Sequence, residues 1–194
     1  AFTRLDPLSI HQPCRVLYGR QPSRDGPDEA IGHDLRRVVA PVAMRMGEIN
    51  ALAEKCNAPV VPADATSLED MENLFRKSME HFGGKVDFVL HSIGMSVNVR
   101  KGKAYTDLNY EWMQKTFDVS AISFHKMMQT MWKLDAINDW GSVLALTYIA
   151  AQRVFPDYSE MAESKALLES FARSFGYHYG TAKKVRVNTV SQSP

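Results

Sequence analysis

Apolar positions recur along this chain in two rhythms, helical stripes and short continuous runs, and the two alternate from Val42 onward. Met46, Ile49, Leu52 and Ala53 fall close to helical spacing, which predicts a helix over Val42–Lys55. A short apolar run, Ala58–Ala63, follows. Thr66 or Ser67 then supplies a cap, Asp70 stands three residues after Ser67, and Leu68, Met71 and Leu74 repeat at helical spacing, predicting a helix that reaches Phe82. The turn GGK ends it. VDFVLHSIG is apolar on both sides of the chain, the signature of a central parallel strand covered on both faces. A long helical stretch is expected from Leu108 to about Leu134, then a second central strand, SVLALTY, a helix over Ser159–Tyr179 and a last strand, VRVNTV. Helices alternating with apolar runs in this way form βαβ units around a parallel sheet, so the fold class is α/β.

The first 40 residues do not share this pattern. They hold six Arg and no Lys and four of the nine prolines, whereas the remaining 154 hold eleven Lys and six Arg. GRQPSRDGPDEAIGHDLRR reads as an arm or linker, and only CRVLYG offers a strand-like run. We therefore divide the chain into an aberrant segment, residues 1–40, and one domain, residues 41–194; a length of 194 residues favours a single domain.

With 45% hydrophobic and 23% charged residues, the composition is that of a globular protein. No apolar run reaches the length of a membrane span, and the N-terminus lacks the basic head and apolar run of a secretory signal, so a cytoplasmic location is expected, with no membrane partner. A net charge of +1 gives no electrostatic basis for binding nucleic acid. Lys183, Lys184 and Arg186 read as a solvated helix end. Cys14 and Cys56 are far apart and match neither a CxxC nor a zinc pattern. The six scattered His supply no metal cluster, and no nucleophile elbow of a hydrolase is present.

Chemistry concentrates near the ends of the two central strands, where open α/β sheets bind ligands. Tyr158 and Lys165 are seven apart in an expected helix, close to two turns, which would put both side chains on one face. A phenol is a weak acid near neutrality, and a neighbouring ammonium that favours phenolate character would make it a better proton or hydrogen-bond donor. Read without context, the pair is more simply two solvent-facing helix residues, since the spacing alone is easily met. Tyr148 ends the second strand, where an aromatic covers either a bound ring or the core. His91, Ser92, Ile93 and Gly94 end the first, and a glycine there lets backbone approach a cofactor or simply makes a turn.

Three blocks in order, DFVLHSIG, LTYIAAQRVFPDYSEMAESKA and VRVNTVSQSP, resemble the signature segments of the enoyl-acyl-carrier-protein reductases, a divergent branch of the short-chain dehydrogenase/reductase superfamily. APVAMRMGEI resembles a subgroup phrase near the second strand, so the resemblance spans about the last four-fifths of the chain. It implies a Rossmann-like, doubly wound parallel sheet and the reduction of a trans-2-enoyl thioester on acyl-carrier protein, by hydride transfer from NADH, in fatty-acid synthesis. Tyr148 stands where ordinary superfamily members carry a catalytic serine, which separates the chain from carbonyl reductases. The resemblance further implies that Tyr158 donates a hydrogen bond to the developing oxyanion and that Lys165 holds the nicotinamide ribose and biases the tyrosine. Tyr148 would line the acyl pocket. Asp64 and Ala65 would meet the adenine, Ser92, Ile93 and Gly94 the cofactor, and Met95 the substrate, with Phe155 and Met161 as apolar wall. NADH rather than NADPH rests on the resemblance alone, because the residues that read the ribose 2′ position border the aberrant segment. A homotetramer is implied in the same way.

Two departures from the family pattern shape the expectation. No phosphate-cradling turn is legible in residues 1–40, which points to a reading-frame change there, and the sequence stops before the family's substrate-binding loop, helix and last strand. Weak or no turnover is therefore expected of this polypeptide itself. The alternative of another class is a non-catalytic remnant that binds nucleotide or associates with intact subunits.

Overall fold

The computed structural model describes residues 51, 53–55 and 59–192. Residues 51 and 53–55 are helical, and the rest of the helix expected over Val42–Lys55 lies outside the described residues, as do Ala58, both cysteines and the whole of residues 1–40. Residues 59–63 of the expected apolar run form no regular element.

Helix α1, Leu68–Phe82, begins where the cap was expected: Ser67 is extended and its side-chain oxygen accepts from the Asp70 amide. Gly83, in the left-handed region at φ 65°, ends it, with the Gly84 amide donating back to Met79. Its buried face is Met71, Phe75 and Ser78, while Leu68 stays exposed. Strand β1, Val86–His91, leads through a short helix α2, Val97–Arg100, to α3, Tyr110–Phe117. The single helix expected from Leu108 to Leu134 is divided. A π-helical turn, Asp118–Ile122, separates α3 from α4, Ser123–Lys133. Strand β2, Ile137–Tyr148, then leads to α5, Met161–Lys183, and β3, Arg186–Gln192.

Among the described residues the sheet is three parallel strands in the order β1-β2-β3. Leu90 pairs with Leu144, His91 with Ala145, and Tyr148 with Gln192, so β1 and β2 bring their carboxyl ends to one edge. Between Val86 and Phe88 the register slips against Ile137 and Ser142, a bulge that accommodates Trp140 at φ 63°. β2 thus starts five residues before the expected SVLALTY run, its polar INDWG opening having hidden the strand.

One apolar cluster joins Met71 and Phe75 of α1, Val86 and Val89 of β1, Phe124, Met127, Met128 and Met131 of α4, Val143 and Ala145 of β2, and Leu168, Ala172 and Tyr179 of α5. The helices are therefore fixed to the sheet through a shared core, and that core ends beneath the strand termini. The basic run at the end of α5 is engaged rather than only solvated: Lys183, like Lys85, pairs with Asp135, and Arg186, at the start of β3, donates to the Trp140 carbonyl. Among the described residues, no helix is long and apolar enough to cross a membrane.

Candidate active site at the carboxyl ends of β1 and β2

Lys165 enters the site from the first turns of α5, which the buried Met161 and Leu168 seat against the protein. Its side chain is 5% exposed, and its ammonium donates to the carbonyls of Leu146 at 2.8 Å and Ile93 at 3.3 Å. It thereby bridges the last residues of β2 and the loop after β1. Burial lowers its pKa from 10.5 to about 8.

Gly94 lies directly against this lysine. A Cβ there would stand 3.5 Å from Lys165 Nζ and 2.7 Å from the terminal methyl of Met161. At Gly94 it is thus the side chains of Lys165 and Met161 that approach the backbone closely. Met95, the next residue, is gripped by Ser120 of the π-helical turn, whose hydroxyl accepts from the Met95 amide at 2.8 Å and donates to the Met95 carbonyl at 3.0 Å. This two-way bond gives the π turn a local function, since a π insertion re-aims a helix residue that regular spacing would direct elsewhere.

The aromatic side of the site is built from Tyr148, the last residue of β2, with Tyr158 at a centroid distance of 4.7 Å and Phe155 at 5.4 Å. Tyr158 is not on α5, contrary to the expectation of one continuous helix carrying both Tyr158 and Lys165. It closes a 3₁₀ turn, Pro156–Tyr158, and Ser159, at φ 43°, breaks the chain before α5 begins. The seven-residue spacing therefore does not stack the two side chains by helical geometry. Tyr158 has its pKa raised, first by burial and then by Tyr148. The expected lowering by Lys165 is not what governs it, because that ammonium is spent on two backbone carbonyls and burial acts against phenolate formation.

The structure gathers Ile93, Gly94, Met95, Tyr148, Tyr158, Met161 and Lys165 around one strand edge, and Ser92, half-buried, precedes them. Asp64 and Ala65 are elsewhere engaged. The Asp64 carboxylate accepts from the amide and hydroxyl of Thr66, both at 2.8 Å, and Ala65 packs on the core; no hydrogen bond or ring contact among the described residues joins either to the Tyr158–Lys165 group. Ser120 was not legible in the sequence, because a serine does not announce itself and its hold on Met95 spans 25 residues of chain.

Residues 32–194 match the family described as Enoyl-(Acyl carrier protein) reductase. The chain belongs to the enoyl-acyl-carrier-protein reductase family. Among curated relatives, it is 32% identical over 163 residues to an enoyl-[acyl-carrier-protein] reductase [NADH] of Rhizobium meliloti, covering 84% of this chain and 55% of that one. It is similar to the crystal structure of FabI from Alistipes finegoldii, with 69% identity and a TM-score of 0.76 over 79% of this chain and 57% of that one. A FabI-NADH complex from the same organism aligns at 69% identity with a TM-score of 0.75, over 79% of this chain and 54% of that one. The chain thus spans little more than half the length of these reductases.

Proposed function

We propose that this chain carries the reacting-centre residues of an NADH-dependent enoyl-acyl-carrier-protein reductase of fatty-acid synthesis, which reduces a trans-2-enoyl thioester to the acyl thioester. The observation that carries the reading is the Tyr148–Tyr158 pair at the end of β2, with buried Lys165 holding the same strand end. Family membership and the NADH complex of the Alistipes finegoldii relative support the cofactor.

The residues fit a nicotinamide nucleotide in two respects. The ammonium of Lys165 has a third N–H beyond those given to Ile93 and Leu146, and the absence of a side chain at Gly94 lets the backbone lie close to that ammonium, the Cβ position standing 3.5 Å from Nζ. Lys165, Ile93 and Gly94 would hold the nicotinamide ribose, and Ser92 would flank it. When bound, NADH supplies the hydride to the β-carbon of the substrate. Tyr158, kept protonated by burial, donates a hydrogen bond to the thioester carbonyl oxygen as negative charge grows there, the point at which a preorganised donor is most effective. Tyr148, with Phe155 and Met161, walls the acyl chain beside Met95. Asp64 and Ala65 are assigned to the adenine end. We place this reductase domain in residues 41–194, in the cytoplasm and in a homotetramer, as the family resemblance implies.

The test follows nicotinamide absorbance while the chain meets NADH and a trans-2-enoyl thioester, with Tyr158→Phe alongside. The expected result is weak turnover, as the missing family segments imply, that the substitution lowers by about 10²-fold, the usual cost of one such donor. Turnover unchanged by the substitution removes Tyr158 from its role. NADH binding without any turnover would favour the non-catalytic remnant.

A further inference from the structure

Glu160 is a fully buried carboxyl two residues beyond Tyr158. Its Oε1 accepts from Ser96 Oγ at 2.8 Å and lies 2.6 Å from Thr116 Oγ1, whose single proton is shared with the Trp112 carbonyl at 2.9 Å, while Oε2 is buried with no hydrogen-bond partner among the described residues. No ion pair to Glu160 is seen among the described residues, and two neutral hydroxyls compensate a buried carboxyl poorly. A site that accepts such a cost gains something from the arrangement.

The two hydroxyls come from segments that matter to the reacting centre. Ser96 follows Gly94 and Met95, and the same oxygen caps α2 by accepting from the Val99 amide at 3.0 Å. Thr116 belongs to α3, about one turn before Ser120, the residue of the π segment that grips Met95. Glu160 itself stands at the start of α5, where its carbonyl accepts from the Ser164 amide. Between it and Tyr158 lies Ser159, a buried non-glycine residue at φ 43° that is held by donation from its hydroxyl to the Lys103 carbonyl at 3.1 Å. Such a backbone conformation is strained and persists only when its surroundings dictate it.

We infer that Glu160 is a positioning residue: by tying the start of α5 to Ser96 and Thr116 it holds the strained Ser159 turn and so sets the Tyr158 ring against Tyr148. The inference rests on the proposed role of Tyr158 as the hydrogen-bond donor. Without the tie, Ser159 relaxes toward ordinary backbone angles, and Tyr158, one residue before it, moves out of its half-buried place.

The test pairs Glu160→Ala with Glu160→Gln, which keeps the length and an oxygen to accept from both hydroxyls. The phenol of Tyr158 is titrated by ultraviolet difference, with Tyr158→Phe subtracted in each background. Glu160→Ala is expected to bring the Tyr158 titration down toward the ordinary phenol range and, where turnover is measured, to lower kcat about 10- to 100-fold with KM for the thioester within about 3-fold, as displacement of a catalytic donor does. Glu160→Gln is expected to restore both. Should Glu160→Ala fail to fold, Thr116→Val removes one of the two hydroxyls in a near-isosteric side chain and is expected to move the titration in the same direction by less. A folded Glu160→Ala or Thr116→Val protein with the wild-type Tyr158 titration overturns the inference, because a purely structural role alters folding stability and leaves the phenol where it was. Loss of the Tyr158 role, read from Tyr158→Phe turnover, is a separate result from an unmoved titration, so the two failures are distinguishable.

Discussion

His91 ends β1 beneath the reacting centre and is 1% exposed. The hydroxyl of Ser123 donates to the Val119 carbonyl, so the imidazole Nε2–H donates to Ser123 at 2.9 Å, and Nδ1 has no partner among the described residues. Burial, and then the nearby charge of Lys165, lower its pKa from 6.5 to about 3. The folded state therefore holds His91 neutral, and the unfolded chain takes up a proton as pH falls through about 6.5. Stability from this residue is complete above that value and is lost as pH drops toward about 3. For a reference pKa of about 6.5, the linkage integral from pH 7 to pH 5 amounts to about 2 kcal/mol. Lys165 is protonated in both states over this window and adds no slope; it acts only in alkali, where stability rises between about 8 and 10.5 because the unfolded chain then holds the extra proton. Urea unfolding of wild type and His91→Gln at the two pH values isolates the residue. The variant should start less stable and lose about 2 kcal/mol less on acidification. Equal losses in the two proteins would refute the reasoning, since they would mean that His91 is charged, or reached by water, in the fold.

Two further predictions concern the frame that carries the site. Tyr179 is buried, donates to the Met128 carbonyl at 2.8 Å and meets Trp132 edge-on at 4.8 Å, so Tyr179→Phe should cost about 1 kcal/mol, seen as a lower urea midpoint at unchanged slope. An unchanged midpoint would show the hydroxyl to be dispensable. Gly141 follows the Trp140 bulge, and a Cβ there would stand 2.7 Å from Ile137 Cγ1 and 2.9 Å from the Asn138 carbonyl oxygen. Because one obstacle is backbone, Gly141→Ala should destabilise by about 1–3 kcal/mol; a neutral result in thermal unfolding would show that the bulge yields freely.

Much of the frame was legible because its signals are local. Ser67, Asp70 and Gly83 mark both ends of α1 within a few residues of themselves, and the continuous apolar runs of β1 and β2 mark strands covered by helices. The reacting edge followed from where those runs stop. What stayed hidden depends on partners distant in sequence. The apolar stripe runs unbroken through the π-helical turn, and only the bond from Ser120 to Met95, 25 residues earlier, accounts for the break. The break between Tyr158 and α5 is equally silent, because a serine does not advertise φ 43° and the Lys103 carbonyl that holds it is 56 residues away. Tyr158 and Lys165 both lie near the end of β2, but no helix joins them.

That correction changes what the tyrosine can do in the proposed reaction. A lysine stacked under the phenol would have favoured phenolate and made Tyr158 an acid. In the folded chain, burial and Tyr148 raise its pKa instead, and Lys165 is committed to the carbonyls of Ile93 and Leu146. A phenol shifted in this direction keeps its proton throughout the neutral range. Its contribution to an enolate forming on the thioester oxygen is then a hydrogen bond whose strength follows the growing charge, with no transfer required at the moment of reduction. Hydrogen-bond donation depends steeply on placement and only weakly on pH, which is why the turn that holds Tyr158, through Ser159 and Glu160, bears on the rate more directly than the titration of any neighbouring base.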